Sequence, residues 1–270
     1  FEEAQEALDR ASRLGMPLTK VAPLRAQLFE IAGAMEAALE VFTNAAASGA
    51  ELTPAFYEYW FATARRADAV EAELTASEAF VIAYPETPEA WQARAYALRD
   101  ASRLEEAADA FEEAAYLPGG SPYDAQEGVE VLIDLGAQEE ALAAAETCIE
   151  TFREHIPCYI HRVMLLDHEQ SEGDPLEPAT EEALAELVRM TAGRMRMYRR
   201  TGGTLRERAR PELLRRFVQI AAEQRPYNVG LLETSAWLVF GADETELAID
   251  LMNRVLEVDE ANVAALNFIG

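Results

Sequence analysis

Residues 88–119 read PEAWQARAYALRDASRLEEAADAFEEAAYLPG. Trp91, Ala95 and Leu98 follow one another at helical spacing and mark one face of a first helix. Ala107, Phe111 and Ala114 mark one face of a second. The alanines let the two helices approach closely, and the large residues fill the gaps between them. A single pair of this kind cannot bury its own apolar face, so it implies neighbours.

On a template of about 34 residues, Trp91, Ala95 and Leu98 stand at positions 4, 8 and 11, and Ala107, Phe111 and Ala114 at positions 20, 24 and 27. That spacing resembles the tetratricopeptide repeat. The resemblance implies an all-α fold, a right-handed superhelix of antiparallel helix hairpins (an α-solenoid), and a role in binding other proteins. Outward from this repeat, Ala26, Phe29, Gly33, Ala38, Phe42 and Ala45 keep the register. So do Trp60, Ala64, Ala76, Phe80 and Ala83, and, near the end of the chain, Leu232, Ala236, Val239, Ala248, Met252 and Val255. Gly33 suits a turn that needs positive φ. Pro54 opens a first helix, where its missing N–H costs little.

Five hairpins follow from this pattern, at about 19–50, 54–85, 88–118, 122–153 and 228–258. Residues 1–11 read as the second helix of a repeat, and 262–270 as a first helix, as in many bacterial members of the family. The chain therefore reads as a slice of something longer. The expected organisation is a regular array over 1–153, an irregular helical segment over 154–226 and C-terminal repeat units over 227–270. Within the middle segment the spacing predicts helices over roughly 179–200 and 205–224. Thr201-Gly202-Gly203-Thr204 is read as the break between them.

The chain has 270 residues, half of them hydrophobic, and a formal charge of −26. That field opposes non-specific contact with nucleic acid and anionic membranes. No apolar run is long enough to span a bilayer. Cytoplasmic and periplasmic locations both fit the sequence. Cys148 and Cys158 are too few for a disulfide framework.

Ten of the 22 arginines lie in residues 189–216, opposed only by Glu207 and Glu212. The segment carries +8 and the rest of the chain −34. Its arginines can neutralise acidic neighbours, dock an acidic protein or peptide, or meet nucleic acid, the last disfavoured by the net charge. Arg194, Arg196, Arg199 and Arg200 are the candidate docking residues. His155, His161 and His168 lie near Cys158, but His161 and His168 are two turns apart and no tetrad of ligands is evident, so no metal is expected. No phosphate loop and no nucleophile beside a base is present, so neither catalysis nor a cofactor is expected.

In the tetratricopeptide family, positions 2, 5, 9 and 12 of the first helices commonly touch a peptide. The resemblance places Glu58, Phe61, Arg65 and Asp68 there in one repeat and Glu89, Gln92, Tyr96 and Arg99 in the next. Tyr123, Gln126 and Glu130 follow, and Glu233, Trp237 and Phe240 near the C-terminus. The lysine, asparagine and arginine that family members use to clamp a C-terminal carboxylate are largely replaced by glutamine, tyrosine and glutamate. A peptide with apolar anchors and some basic charge would suit such a groove. The leading expectation is a non-catalytic interaction scaffold with a protein or peptide partner. The alternatives are a nucleic-acid-linked regulator using residues 189–216, or a helical accessory region of a larger enzyme or envelope assembly protein.

Overall fold

The computed structural model describes residues 1–270 as sixteen α-helices, with no strand. They fall into two compact units, Phe1–Ala137 and Gln138–Gly270. The first holds α1 (Glu2–Arg13), α2 (Leu18–Ile31), α3 (Met35–Ala47), α4 (Pro54–Arg66), α5 (Val70–Ala83), α6 (Pro88–Asp100), α7 (Leu104–Tyr116) and α8 (Pro122–Leu135). The second holds α9 (Gln138–Thr151), α10 (Ile156–Leu166), α11 (Pro178–Thr191), α12 (Met195–Arg208), α13 (Pro211–Gln224), α14 (Val229–Phe240), α15 (Thr245–Val258) and α16 (Val263–Ile269). No helix is long and apolar enough to cross a membrane.

Local chemistry sets the helix ends. Prolines occupy the first turn of α4, α6, α8, α10, α11 and α13, where a missing N–H leaves no bond unmade. The tight turns inside hairpins pass through left-handed backbone at Gly33 (φ 75°), Asp68 (φ 53°), Ser102 (φ 60°) and Asp243 (φ 62°). Neighbouring helices in each unit pack together, α2 on α3, α4 on α5, α6 on α7 and α14 on α15 among them.

The first unit's core is built from small and aromatic side chains in alternation. Ala26, Ala38, Ala76, Ala95 and Ala107 have no exposed surface, and Phe42, Phe80 and Phe111 fill the spaces beside them. Phe42 meets Phe56 edge-on at 5.3 Å, and Tyr57 stacks on Phe80 at 5.4 Å. In the second unit the largest buried side chain is Tyr198 of α12. Its ring stacks on Phe217 of α13 at 4.8 Å, and its hydroxyl shares a 2.7 Å hydrogen bond with Ser235 of α14.

Two features depart from the sequence reading. First, α12 runs unbroken through Thr201-Gly202-Gly203-Thr204; the breaks fall instead at 192–194 and 209–210. The two glycines interrupt nothing because helix contacts, not a turn, explain Gly202. A β-carbon there would lie 2.4 Å from Leu238 Cδ1 of α14, so its absence lets the helices touch. Tyr198, Gly202, Leu205, Val218 and Ala221 precede Leu232, Ala236, Val239, Met252 and Val255 by one repeat length each, so the register persists across these helices. Second, Cys148 of α9 and Cys158 of α10 form a disulfide, with no free cysteine remaining. Both are fully buried, and the bridge removes the thiolate that a metal would need beside His161.

Arginine 210 holds the long connection between α10 and α11. Its Nε donates to Asp167 Oδ2 at 2.5 Å and its Nη2 to Oδ1 at 2.7 Å. Its Nη1 donates to the carbonyls of Ser171 (3.0 Å) and Asp174 (2.8 Å). The pair is buried, with side chains 10% and 4% exposed, and bidentate geometry offsets the desolvation of both ions.

Three outcomes are expected from denaturant unfolding. Arg210→Ala leaves Asp167 buried without its cation and lowers stability by about 3–5 kcal/mol; a loss within experimental error would show that the pair is dispensable. Gly203→Ala, where a β-carbon meets nothing within 4 Å, raises stability by about 0.5–1 kcal/mol. Gly202→Val forces Leu238 aside and lowers stability by about 1–3 kcal/mol. Equal effects at the two positions would refute the close contact.

Candidate functional site

In the first unit, the residues singled out on α4, α6 and α8 are joined to one another. The guanidinium of Arg65 lies 5.9 Å from the ring centre of Phe61 and 5.4 Å from that of Tyr96. Arg99 lies 4.8 Å from the Tyr96 ring and donates to Glu127 at 2.5 Å. Gln92 donates to the buried Asp124 at 2.6 Å, and Gln126 to Glu130 at 3.1 Å. Cation, ring and carboxylate therefore alternate from α4 to α8, each occupying its neighbour. Tyr123 (66% exposed), Glu58 and Glu89 stand out into solvent.

Four acidic members of this network, Glu73, Asp100, Asp124 and Glu127, escaped the sequence reading. Nothing in their local spacing sets them apart from dozens of surface carboxylates. Glu73 of α5 is 3% exposed, and its Oε2 accepts no hydrogen bond. The nearest cation is Arg65 Nε at 3.8 Å. Burial raises the Glu73 pKa above the ordinary carboxylate value, and Asp100 raises it further, against the opposing pull of Arg65. Burial also raises the Asp124 pKa, opposed by the hydrogen bond from Gln92.

In the second unit the arginine-rich stretch divides by helix. Arg210, Arg215 and Arg216, at and in α13, are committed to carboxylates: Asp167, Glu244 (3.2 Å from Arg215 Nε) and Glu181 (2.8 Å from Arg216 Nε). Arg194, which caps α12, lies 3.5 Å from Glu154. Arg196, Arg199 and Arg200 are exposed on α12 and meet no carboxylate. Arg206, further along α12, has only its sequence neighbour Glu207 at 3.8 Å.

Arg199 and Arg206 share a cleft of about 490 Å³ with Gly203, Glu233, Thr234, Trp237 and Leu238. It lies between α12 and α14, whose separation is fixed by the Tyr198–Ser235 bond and the Gly202–Leu238 contact. Trp237 is 52% exposed and Phe240 44% exposed. Both rings meet Phe268 of α16 edge-on at 5.0 Å. The carboxylate of Glu233 accepts from Asn262 Nδ2 at 2.8 Å. Two sets of residues that the sequence assigned to separate features, Arg199 among the arginines and Glu233 and Trp237 in the groove, thus border one cavity. Arg206 and Gly203 were missed as members. The signal was present: they stand one repeat length before Phe240 and Trp237.

The pH dependence of stability tests the first-unit network. A raised carboxylate pKa in the folded state means that Glu73 contributes most when protonated, below the unfolded value, and that this contribution is lost as pH rises through the folded value. Glu73→Gln should therefore be more stable than the native chain at pH 7, with the gap closing toward pH 4. A gap that widens on acidification would reverse the assignment.

No protein-family model matches the chain, and no curated protein matches it. Solved structures do. The C-terminal part of a TPR repeat-containing protein from Cytophaga hutchinsonii aligns with a TM-score of 0.54 and 12% identity, over 100% of this chain and 94% of that one. A tetratricopeptide repeat protein from Parabacteroides merdae aligns at 0.47 and 10%, over 93% and 97%. YrrB, described as a TPR protein with an unusual peptide-binding site, aligns at 0.41 and 14%, over 85% and 97%. The Cytophaga hutchinsonii match, spanning every residue, agrees with the helix pairs and the repeat spacing: this chain has the all-α fold of a tetratricopeptide-repeat protein.

Proposed function

We propose that this chain is a non-catalytic protein-interaction scaffold, and that it binds an extended segment of a partner protein at the α12–α14 cleft. The observation that carries the reading is the exposed aromatic group of Trp237 and Phe240 beside a cavity lined by Arg199 and Arg206. Aromatic and arginine side chains at the edge of a concavity are the residue types that dominate binding energy in protein interfaces. Trp237 packs edge-on against Phe268, a contact that limits the conformational freedom lost when a ligand covers it.

The first-unit residues contribute differently. Phe61, Arg65, Gln92, Tyr96 and Arg99 already satisfy one another, so a ligand there would have to displace internal contacts. The exposed Glu58, Glu89 and Tyr123 form a secondary contact face in this proposal.

A peptide-display selection against the whole chain, followed by calorimetry on the enriched peptides, tests the reading. Binding should be saturable, and Trp237→Ala should weaken it by about tenfold or more while leaving the thermal midpoint near that of the native chain. Tyr123→Ala should have a smaller effect. Failure to enrich any peptide, or full affinity in Trp237→Ala, would refute the site.

A further inference from the structure

The chemistry of the cleft points to one class of ligand. We infer that it takes an acidic peptide segment: an apolar or aromatic side chain set against Trp237, and carboxylates reaching Arg199 and Arg206. This rests on the preceding reading of the cleft as a docking site and adds the charge of the partner.

The chain carries 49 acidic residues against 23 basic ones, so an arginine has many carboxylates to choose from. Arg65, Arg66, Arg99, Arg210, Arg215 and Arg216 each have one from another helix or its cap. Of the two arginines in the cleft, Arg199 has none and Arg206 has only Glu207 of its own helix, at 3.8 Å. In so acidic a molecule, a cavity lined by two arginines that meet no carboxylate from another helix is complementary to negative charge brought from outside.

Geometry narrows the ligand. Arg199 and Arg206 lie on one face of α12 about two helical turns apart, roughly 10 Å along the axis. Between them is Gly203, where a β-carbon would meet nothing within 4 Å, so the cleft floor is open at the point facing Trp237. Gly241 clears a second space: a β-carbon there would lie 2.6 Å from Arg206 Nη1, so the guanidinium rests where any larger residue would displace it. The arrangement is cation, apolar slot, cation. An extended peptide rises about 3.3 Å per residue, so acidic residues about three apart, with an apolar side chain between them, match the two arginines and the slot.

Glu233 argues for a peptide over a continuous polyanion. Its carboxylate lines the same cleft and accepts a hydrogen bond from the neutral amide of Asn262. A nucleic-acid backbone, with a charge at every step, would meet that carboxylate as well as the two arginines. A peptide can place neutral residues opposite Glu233 and offer it a backbone N–H. The ligand preference is therefore the reverse of the one the sequence suggested for the groove. The change follows from Arg199 and Arg206 facing the aromatic residues.

Three fluorescein-labelled twelve-residue peptides provide the test. They share two apolar anchors, leucine and phenylalanine, and carry glutamate, glutamine or lysine at the remaining positions. Fluorescence anisotropy is read against the whole chain, the Arg199→Gln/Arg206→Gln double variant, Gly203→Trp, Trp237→Ala and, as an exposed-charge control on the same helix, Arg208→Gln; circular dichroism confirms that each is folded. The glutamate peptide should bind about tenfold or more tightly than the glutamine peptide, and the lysine peptide weakest. The double variant and Gly203→Trp should each lose about tenfold or more for the glutamate peptide, while Arg208→Gln changes little. Should the glutamine or lysine peptide bind as well and still depend on Trp237, the docking site stands and the acidic preference is overturned. Absence of saturable binding by all three overturns both. Tighter binding of a single-stranded oligonucleotide that displaces the glutamate peptide, or equal losses in Arg208→Gln and the double variant, would also overturn the inference.

Discussion

Neighbouring helices in this protein approach at points where a side chain has been reduced to a methyl group or removed. Ala26, Ala64, Ala95, Gly202 and Ala236 mark those points on one set of helices, and Ala38, Ala76, Ala107 and Ala248 on the helices packed against them. The alanines are without exposed surface, and rings or long aliphatics at Phe42, Phe80, Phe111 and Met252 complete the layers. Close packing of this kind fixes the rotation of each helix about its own axis. Once that rotation is set, the outward positions follow. Arg199, Gly203 and Arg206 must share a face, and Trp237 must present its edge beside them. The cleft is thus a by-product of the packing constraint, supplied with chemistry by the residues that the constraint leaves free.

Arginine plays two distinct roles under this constraint. Arg210 gathers a carboxylate and two carbonyls, so a loop held within itself by short turn hydrogen bonds is tied to the start of α13. Arg66 does related work in the first unit, donating to Glu30 at 2.9 Å while Thr63 donates to the same oxygen at 2.7 Å. These arginines bind helices to one another, and their charge is consumed. Those exposed on α12 retain theirs. Composition alone treats the ten arginines of residues 189–216 as one block; the boundary between the two roles is the turn between α12 and α13.

The repeats around residues 88–119 were legible because their spacing is undisturbed and their apolar residues are large enough to stand out. Helices α6 and α7 begin and end where proline, polar turn and periodicity place them. Residues 195–224 were harder to read for a physical reason. Glycine at a helix crossing and glycine at a turn look the same in sequence, and Gly202-Gly203 has one residue facing a neighbour and one facing open space. Only comparison with the following repeat, Tyr198 against Leu232 and Gly202 against Ala236, restores the register. The disulfide was hidden for another reason: two cysteines ten residues apart meet only when α9 and α10 fold back on each other, as their 6.2 Å Cα separation records. The cleft was half legible, with Trp237, Glu233 and Arg199 named but placed in different features.

That cross-link has a mechanical consequence. Arrays of helix pairs hold together through contacts between neighbours, so tension along the chain peels them off in short steps. A covalent tie between α9 and α10 removes one segment from that process. The ten-residue span it closes would reach roughly 35 Å if fully extended, yet its ends stay 6.2 Å apart however hard the chain is pulled. Under oxidising conditions the second unit therefore has a built-in limit to its stretching, positioned between its first two helices. Reduction would lengthen the fully extended molecule by the hidden span and leave packing alone to resist the load at that hairpin.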